Sequence, residues 1–278
     1  MNPTELAHEL IAAYASRQIL PEPLSARDPS FDLTAAYAVE AEIVRLRRAA
    51  GHTTVGRKVG YANKAVWRVL KLDTLVWAHM YDDTVRYADN NSGVLDIGRL
   101  CSPKIEPEIV FKIRTPLDGA ADAAEVLGVV EWIALGFEII DCVFADWAFQ
   151  PADFVAALGL HAALVVGEPQ RIESAMIPTL VEQLARFKVQ LRKDGEVVAE
   201  GSGKNSLRSP SLCLGELASA IVRQTPDEPL AAGELVSSGT LIESQPIAAG
   251  QSWTATVDGI DLPPLTLHTA TSPINLVD

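Results

Sequence analysis

Hydrophobic positions along this chain recur first at helical spacing and then, from Val55 onward, in short alternating runs. Leu6, Leu10, Ile11 and Tyr14 fall on one face of a first helix, which Thr4 is placed to cap. Pro21 and Pro23 break that pattern. A second helix opens at Asp32 or Thr34, carries Tyr37, Ala41 and Val44, and closes on Leu46-Arg47-Arg48. Gly51 then stands where a C′ glycine belongs. Farther on, residues 187–191 and 196–199 about Asp194-Gly195 predict a β-hairpin, and residues 253–257 and 260–262 about Asp258-Gly259 predict another. Residues 235–238 predict a strand between them, and helical patterns interrupt at 122–133, 151–158, 178–185 and 211–223. The architecture expected is a helical cap over residues 1–52 on a mixed, β-rich core over 53–278, integrated into one domain.

One strand pattern carries chemistry. In Lys104-Ile105-Glu106-Pro107-Glu108-Ile109-Val110-Phe111-Lys112-Ile113 the apolar side chains alternate to one face and Glu106 and Glu108 to the other. Pro107 cannot donate a ladder hydrogen bond, which puts this strand at an edge or makes it irregular there. Glu138 follows in the apolar run Ala134-Leu135-Gly136-Phe137-Glu138-Ile139-Ile140-Asp141. A buried carboxylate is neutralised, paired or bound to a metal. Three carboxylates facing one point form an oxygen-only site, which selects magnesium, manganese or calcium over zinc or copper. The same acids also suit a solvated strand face, with Glu138 paired to a lysine or arginine. Lys58, in Val55-Gly56-Arg57-Lys58-Val59-Gly60-Tyr61, is bracketed by glycines that permit close approach of backbone or ligand. It is a candidate for holding a substrate carboxylate or moving a proton, or a surface lysine beside a turn.

Composition narrows the classes. The 278 residues are 48% hydrophobic and 21% charged, enough apolar material for a substantial core. A formal net charge of -13 repels phosphate backbones and argues against nucleic acid as a partner. Cys101, Cys142 and Cys213 are odd in number and widely spaced, which fits neither a disulfide framework nor a structural zinc site. The amino terminus has no signal-peptide pattern, and the longest nearly apolar stretch, 154–167, is too short to span a bilayer. A cytoplasmic location is expected. Gly201-Ser202-Gly203-Lys204-Asn205-Ser206 lacks the spacer of a phosphate loop and reads as a polar loop beside a site or interface. No Gly-x-Ser-x-Gly elbow and no His-x-x-x-His zinc pair occur. His161 reads most simply as a buried, hydrogen-bonded histidine.

Taken in order, Gly56-Arg57-Lys58-Val59-Gly60, Pro103-Lys104-Ile105-Glu106-Pro107-Glu108, Glu131-Trp132 through Asp141, Asp146-Trp147, Gly201-Ser202-Gly203 and Gly233-Glu234-Leu235-Val236-Ser237-Ser238-Gly239-Thr240 resemble the 2-keto-4-pentenoate hydratase family. That group also holds 4-oxalocrotonate decarboxylases and lies within the fumarylacetoacetate hydrolase superfamily. The resemblance runs from the N-terminal helices to Leu267. It implies an α+β fold with the mixed-sheet core of the superfamily's C-terminal type, and Mg2+ or Mn2+ on Glu106, Glu108 and Glu138. Lys58 matches the family's active-site lysine, and a cytoplasmic homo-oligomer acting on a small 2-keto acid from aromatic ring cleavage is implied. The expected activity is hydration of a 2-hydroxy-dienoate or 2-keto-enoate through a metal-stabilised enolate. A 4-oxalocrotonate decarboxylase, a C–C bond hydrolase of the same superfamily, and a non-catalytic metal-binding partner subunit are the alternatives. Two departures stand out. His79, in Val76-Trp77-Ala78-His79-Met80, replaces the family's aspartate and becomes a candidate acid/base. Leu160 replaces a serine that lies near the substrate in typical members, which gives the adjacent His161 some weight as a pocket residue.

Overall fold

Proline and asparagine set the first helix. Asn2 Oδ1 accepts from the Thr4 amide at 2.9 Å, and Pro3 opens the helix Pro3–Ser16. The cap is therefore Asn2 and not Thr4, because the fixed φ of Pro3 already commits the backbone to the helix one residue earlier. A short helix, Leu24–Arg27, precedes the long one, Leu33–Ala49. There Asp32 Oδ1 accepts from Ala35 N at 2.9 Å, Arg47 and Arg48 occupy the last turn, and Gly51 follows with φ +96°. Residues of these helices share the main hydrophobic core with the strands that follow. The Tyr14 hydroxyl lies 3.0 Å from Asp141 O and 3.2 Å from Ala157 O, tying the first helix to two segments of the core.

The computed structural model describes residues 1–119 and 121–271, so residue 120 and residues 272–278 of the expected core lie outside the described residues. Among the described residues the strands are β1 (Thr54–Gly60), β2 (Val76–Tyr81), β3 (Val85–Tyr87), β4 (Ser92–Asp96), β5 (Pro103–Ile113), β6 (Val130–Asp141), β7 (His161–Val166), β8 (Gln170–Arg171), β9 (Lys188–Lys193), β10 (Glu196–Ser202), β11 (Leu235–Ser237), β12 (Gln245–Pro246), β13 (Ser252–Asp258) and β14 (Leu265–Ala270). One sheet runs β2-β1-β11-β5-β6-β7-β3, with β12 added beside β5 and β8 beside β6. The other runs β10-β9-β13-β14-β4. Parallel and antiparallel pairs mix in both sheets.

The long β5–β6 ladder positions the acids. Its register sets Glu106 opposite Glu138 and Glu108 opposite Gly136. Ile105, Ile109, Phe111 and Ile113 point into the main core. Val110, Trp132 and Ala134 join a second apolar cluster with Met80, Leu164, Val166 and Leu235. By strand alternation that second cluster shares a face with the glutamates. Far from lying at an edge, β5 is interior. Its side away from β6 is irregular, however, passing from β12 at Lys104 and Ile105 to β11 at Val110–Lys112. Pro107 falls in that gap, where its carbonyl accepts from Leu241 N at 3.2 Å and the missing N–H leaves no ladder bond unmade.

Two further expectations are corrected. The helix expected over 122–133 ends early: Asp122 and Glu125 form a capping box, the helix Ala123–Gly128 stops at glycine, and β6 begins at Val130. Val129, Val130, Trp132 and Ile133 are β-branched or aromatic and pack better on a pleated surface than on another helical turn. The expected 253–262 hairpin does not form. β13 pairs instead with β14, Trp253 opposite Leu267 and Ala255 opposite Leu265. Pro263 and Pro264 keep the intervening stretch from supplying ladder donors. The β9–β10 hairpin forms as expected, with Asp194 and Gly195 both at positive φ (50° and 92°). The helices Pro151–Ala156, Ile177–Arg186 and Pro210–Gln224 complete the fold. Among the described residues no helix is long and apolar enough to cross a membrane.

Candidate active site

Glu106, Glu108 and Glu138 converge because cross-strand partners and alternate residues share a face. Each offers a carboxylate oxygen, and the three oxygens lie within 4.8 Å of one another. Glu108 and Glu138 are fully buried, and Glu106 lines a cavity of about 510 Å³. Lys58 on β1 reaches the same point. Its Nζ donates to Gly159 O at 2.9 Å, lies 3.1 Å from Glu138 Oε2, and sits over the Phe154 ring.

Local backbone makes room for this lysine. Gly159 adopts φ +61°, and a Cβ there would come within 2.7 Å of Lys58 Cδ. At Gly56 a Cβ would meet the Leu235 carbonyl oxygen at 2.0 Å, so the glycine before Lys58 serves β1–β11 pairing.

Each carboxylate has its own environment. Ser237 Oγ and Gly239 N (2.9 Å) both donate to Glu108 Oε2, while Glu108 Oε1 has no partner. Burial pushes the Glu108 carboxyl well above the usual range, and repulsion from Glu138 and Glu106 adds to that. Burial also pushes Glu106 up, to about 7, against the pull of the Lys58 ammonium. For Glu138 burial again raises, but Lys58 and His161 together outweigh it and hold the group below its ordinary value. Glu138 Oε1 lies 2.9 Å from His161 Nδ1, and His161 Nε2 lies 3.0 Å from Thr84 Oγ1. Glu138 Oε2 faces Lys58 as an ion pair.

A buried, partnerless Glu108 oxygen beside two more carboxylates fits a hard divalent cation. The three acids could hold one, with room on the cavity side for a ligand. Among the described residues one other such group, His52, Asp82 and Asp83, lies near the surface, where Asp83 already pairs with Arg47 at 2.5 Å.

The structure does not bring His79 to this cluster. On β2 it pairs with Arg57, whereas Ala78 pairs with Lys58, so His79 points to the opposite face of the sheet. There its Nδ1 lies 2.6 Å from Glu40 Oε1, and its ring meets Trp77 edge-on. Three contributors were not evident as such in the sequence: His161 as a neighbour of Glu138, Gly159 as the anchor of Lys58, and Ser237 with the Gly239 amide on Glu108. Only the density of serine and glycine at 237–239 hinted at the last. Asn205, in the polar loop 201–206, lines the cavity.

No family model matches the chain. Curated relatives match most of it. A 2-hydroxyhexa-2,4-dienoate hydratase from Comamonas testosteroni is 29% identical over 239 residues, covering 86% of this chain and 87% of that protein. A 4-oxalocrotonate decarboxylase from Pseudomonas sp. (strain CF600) is 27% identical over 233 residues, covering 84% of each. Among solved structures, 4-oxalocrotonate decarboxylase from Pseudomonas putida G7, complexed with magnesium and adipate, superposes with a TM-score of 0.85 at 24% identity, over 96% of this chain and 97% of that one. A yeast fumarylacetoacetate hydrolase family protein shares the fold more loosely, with a TM-score of 0.57 at 13% identity over 79% of this chain and 94% of that one. The fold is thus an α+β fold, shared with that decarboxylase and, more loosely, with the fumarylacetoacetate hydrolase family protein. The chain is similar over most of its length to 2-keto-4-pentenoate hydratases and 4-oxalocrotonate decarboxylases.

Proposed function

We propose that this chain is a divalent-metal-dependent hydro-lyase that adds water to a 2-keto-enoate formed from a 2-hydroxy-dienoate. The observation that carries this reading is the convergence of Glu106, Glu108 and Glu138 beside Lys58 at the end of a cavity of about 510 Å³. In this reading the three glutamates hold Mg2+ or Mn2+. When bound, the ion supplies Lewis-acid polarisation of a 2-keto acid's C2 oxygen. Lys58, fixed by Gly159 O and Glu138, presents an ammonium to hold the substrate carboxylate or to carry a proton at the carbon chain. His161 orients Glu138 from behind. Aromatic and aliphatic side chains of the cavity restrict bulk water around the reacting carbons.

The relatives' names support hydration, because a dienoate hydratase and a 2-keto-4-pentenoate hydratase both match over most of the chain. The test is purified protein with Mn2+ and 2-hydroxypenta-2,4-dienoate. Loss of the dienol absorbance with a hydroxylated product is expected. Carbon dioxide released from 4-oxalocrotonate instead would make the protein a decarboxylase. Bound metal with no turnover of either would make it a non-catalytic subunit. The proposal extends to a cytoplasmic homo-oligomer in which residues 1–52 act as a cap on the core. Sedimentation and cell fractionation test the first two parts, and limited proteolysis tests the third.

A further inference from the structure

We infer that the substrate's distal end is an uncharged, bulky apolar group, aryl or branched alkyl, and not a second carboxylate. This inference rests on the keto-acid reading of the carboxylate site. The cavity leading away from Lys58 and Glu106 is walled by Tyr61, Ile140, Trp147, Phe149, Phe154 and Leu160. Tyr61 packs edge-on against Phe154 at 5.4 Å between centroids, and Phe149 lies against both Trp147 and Phe154.

Four polar atoms of the lining residues are committed within the chain. Trp147 Nε1 donates to Ser102 Oγ at 2.9 Å, Asn205 Nδ2 to Leu241 O at 2.7 Å and Thr240 Oγ1 to Ile242 O at 2.8 Å. Asn63 Oδ1 accepts from the Ala65 amide at 3.0 Å. The charged lining residues are Lys58, Glu106 and Glu243. Lys58 is held at the inner end by Glu138, and Glu243 repels an anion at the exposed end. Lys104, two residues from Glu106 on the same face of β5, places its ammonium 3.8 Å from the centre of the Trp147 ring, so this cation is engaged by the indole behind the cavity wall.

Backbone strain points the same way. Tyr61, Trp147 and Leu160 all line the cavity with left-handed backbone, at φ +58°, +56° and +56°. Bulky residues rarely adopt that conformation, and strain of this kind gathers where side chains are aimed at a ligand. A volume of about 510 Å³ exceeds what a three-carbon keto acid fills and lies within the range of small-molecule pockets.

The experiment is calorimetric titration of the Mg2+-loaded protein with pyruvate, 2-oxo-4-phenylbutanoate and 2-oxoadipate. The phenyl compound is expected to bind at least about ten-fold more tightly than pyruvate, because its ring leaves water on entering the cavity. The dicarboxylate is expected to bind no more tightly than pyruvate. Phe149→Arg, at a half-buried position, is expected to reverse the order of the two longer acids. A phenyl compound no tighter than pyruvate, or 2-oxoadipate tighter than the phenyl compound, overturns the inference while leaving the keto-acid site in place. Absence of any Mg2+-dependent binding of pyruvate removes the site reading itself, and this inference with it.

Discussion

Lys58 Nζ and Glu138 Oε2 stand 3.1 Å apart with both side chains almost completely withdrawn from water. The pair gives the acidic cluster a fixed counter-charge before any cation arrives. It also sets the lysine at the boundary between the carboxylates and the cavity. Lys58→Ala should therefore keep metal binding, because the three glutamates stay in register on β5 and β6. Turnover should fall by about 10²–10⁴-fold, the range for losing a positioned proton carrier. Metal affinity and kcat measured on the same preparation check this, and unchanged kinetics would take Lys58 out of the mechanism.

Glu108→Gln separates stability from metal binding. The buried carboxyl is strained toward its neutral form, so an amide of the same shape should cost the metal-free fold little. In chelator the variant should melt at or above the temperature of the parent. The parent alone should gain stability on adding Mg2+, by roughly 2.7 kcal/mol at a hundred times its Kd. Scanning calorimetry with and without Mg2+ reads both effects. A variant that still responds to the ion would remove Glu108 from the ligand set.

His161→Ala leaves Glu138 Oε1 without its 2.9 Å partner. A loss of about 1–3 kcal/mol in stability is expected for the stranded acceptor. Metal affinity should fall by about 10–100-fold, the usual effect of losing the group that orients a ligand. His161→Gln should recover part of both. Equal metal affinity in the parent and the alanine variant would show that the histidine is only packing.

His79→Ala tests the opposite face of the sheet. The side chain bonds to Glu40 and faces away from Lys58, so the expected effect is on stability alone, about 1–3 kcal/mol. The kcat per folded molecule should not change. A stable variant that had lost turnover would return His79 to the chemistry.

The shared face of Glu106 and Glu108 could be read from the sequence because its signal is local, whereas Glu138 and Lys58 joined them through the family resemblance. Alternation about Pro107 fixes which face Glu106 and Glu108 share, and a glutamate inside 134–141 needs a reason to be there. What escaped the reading depends on pairing between distant segments. Residues 130–133 continue a plausible helical stripe, and their place opposite Phe111, Lys112 and Ile113 settles them as strand. Pro107 marks an irregular strand, as read, but not an edge, because no local pattern shows that β11 and β12 flank it along the same side of β5. His79 sits one residue from Ala78, the direct neighbour of Lys58, and strand parity alone sends it to the other side. The partnership of His161 with Glu138 crosses a register shift between β6 and β7 that sequence spacing does not reveal.

One phenolic proton on the first helix is shared between the carbonyls of Asp141 and Ala157. The former closes the strand bearing Glu138, and the latter lies two residues before the carbonyl that anchors Lys58. Deleting the leading segment to obtain a minimal catalytic fragment would therefore unfasten the lysine at a distance. Engineering at that terminus is safer by extension than by trimming.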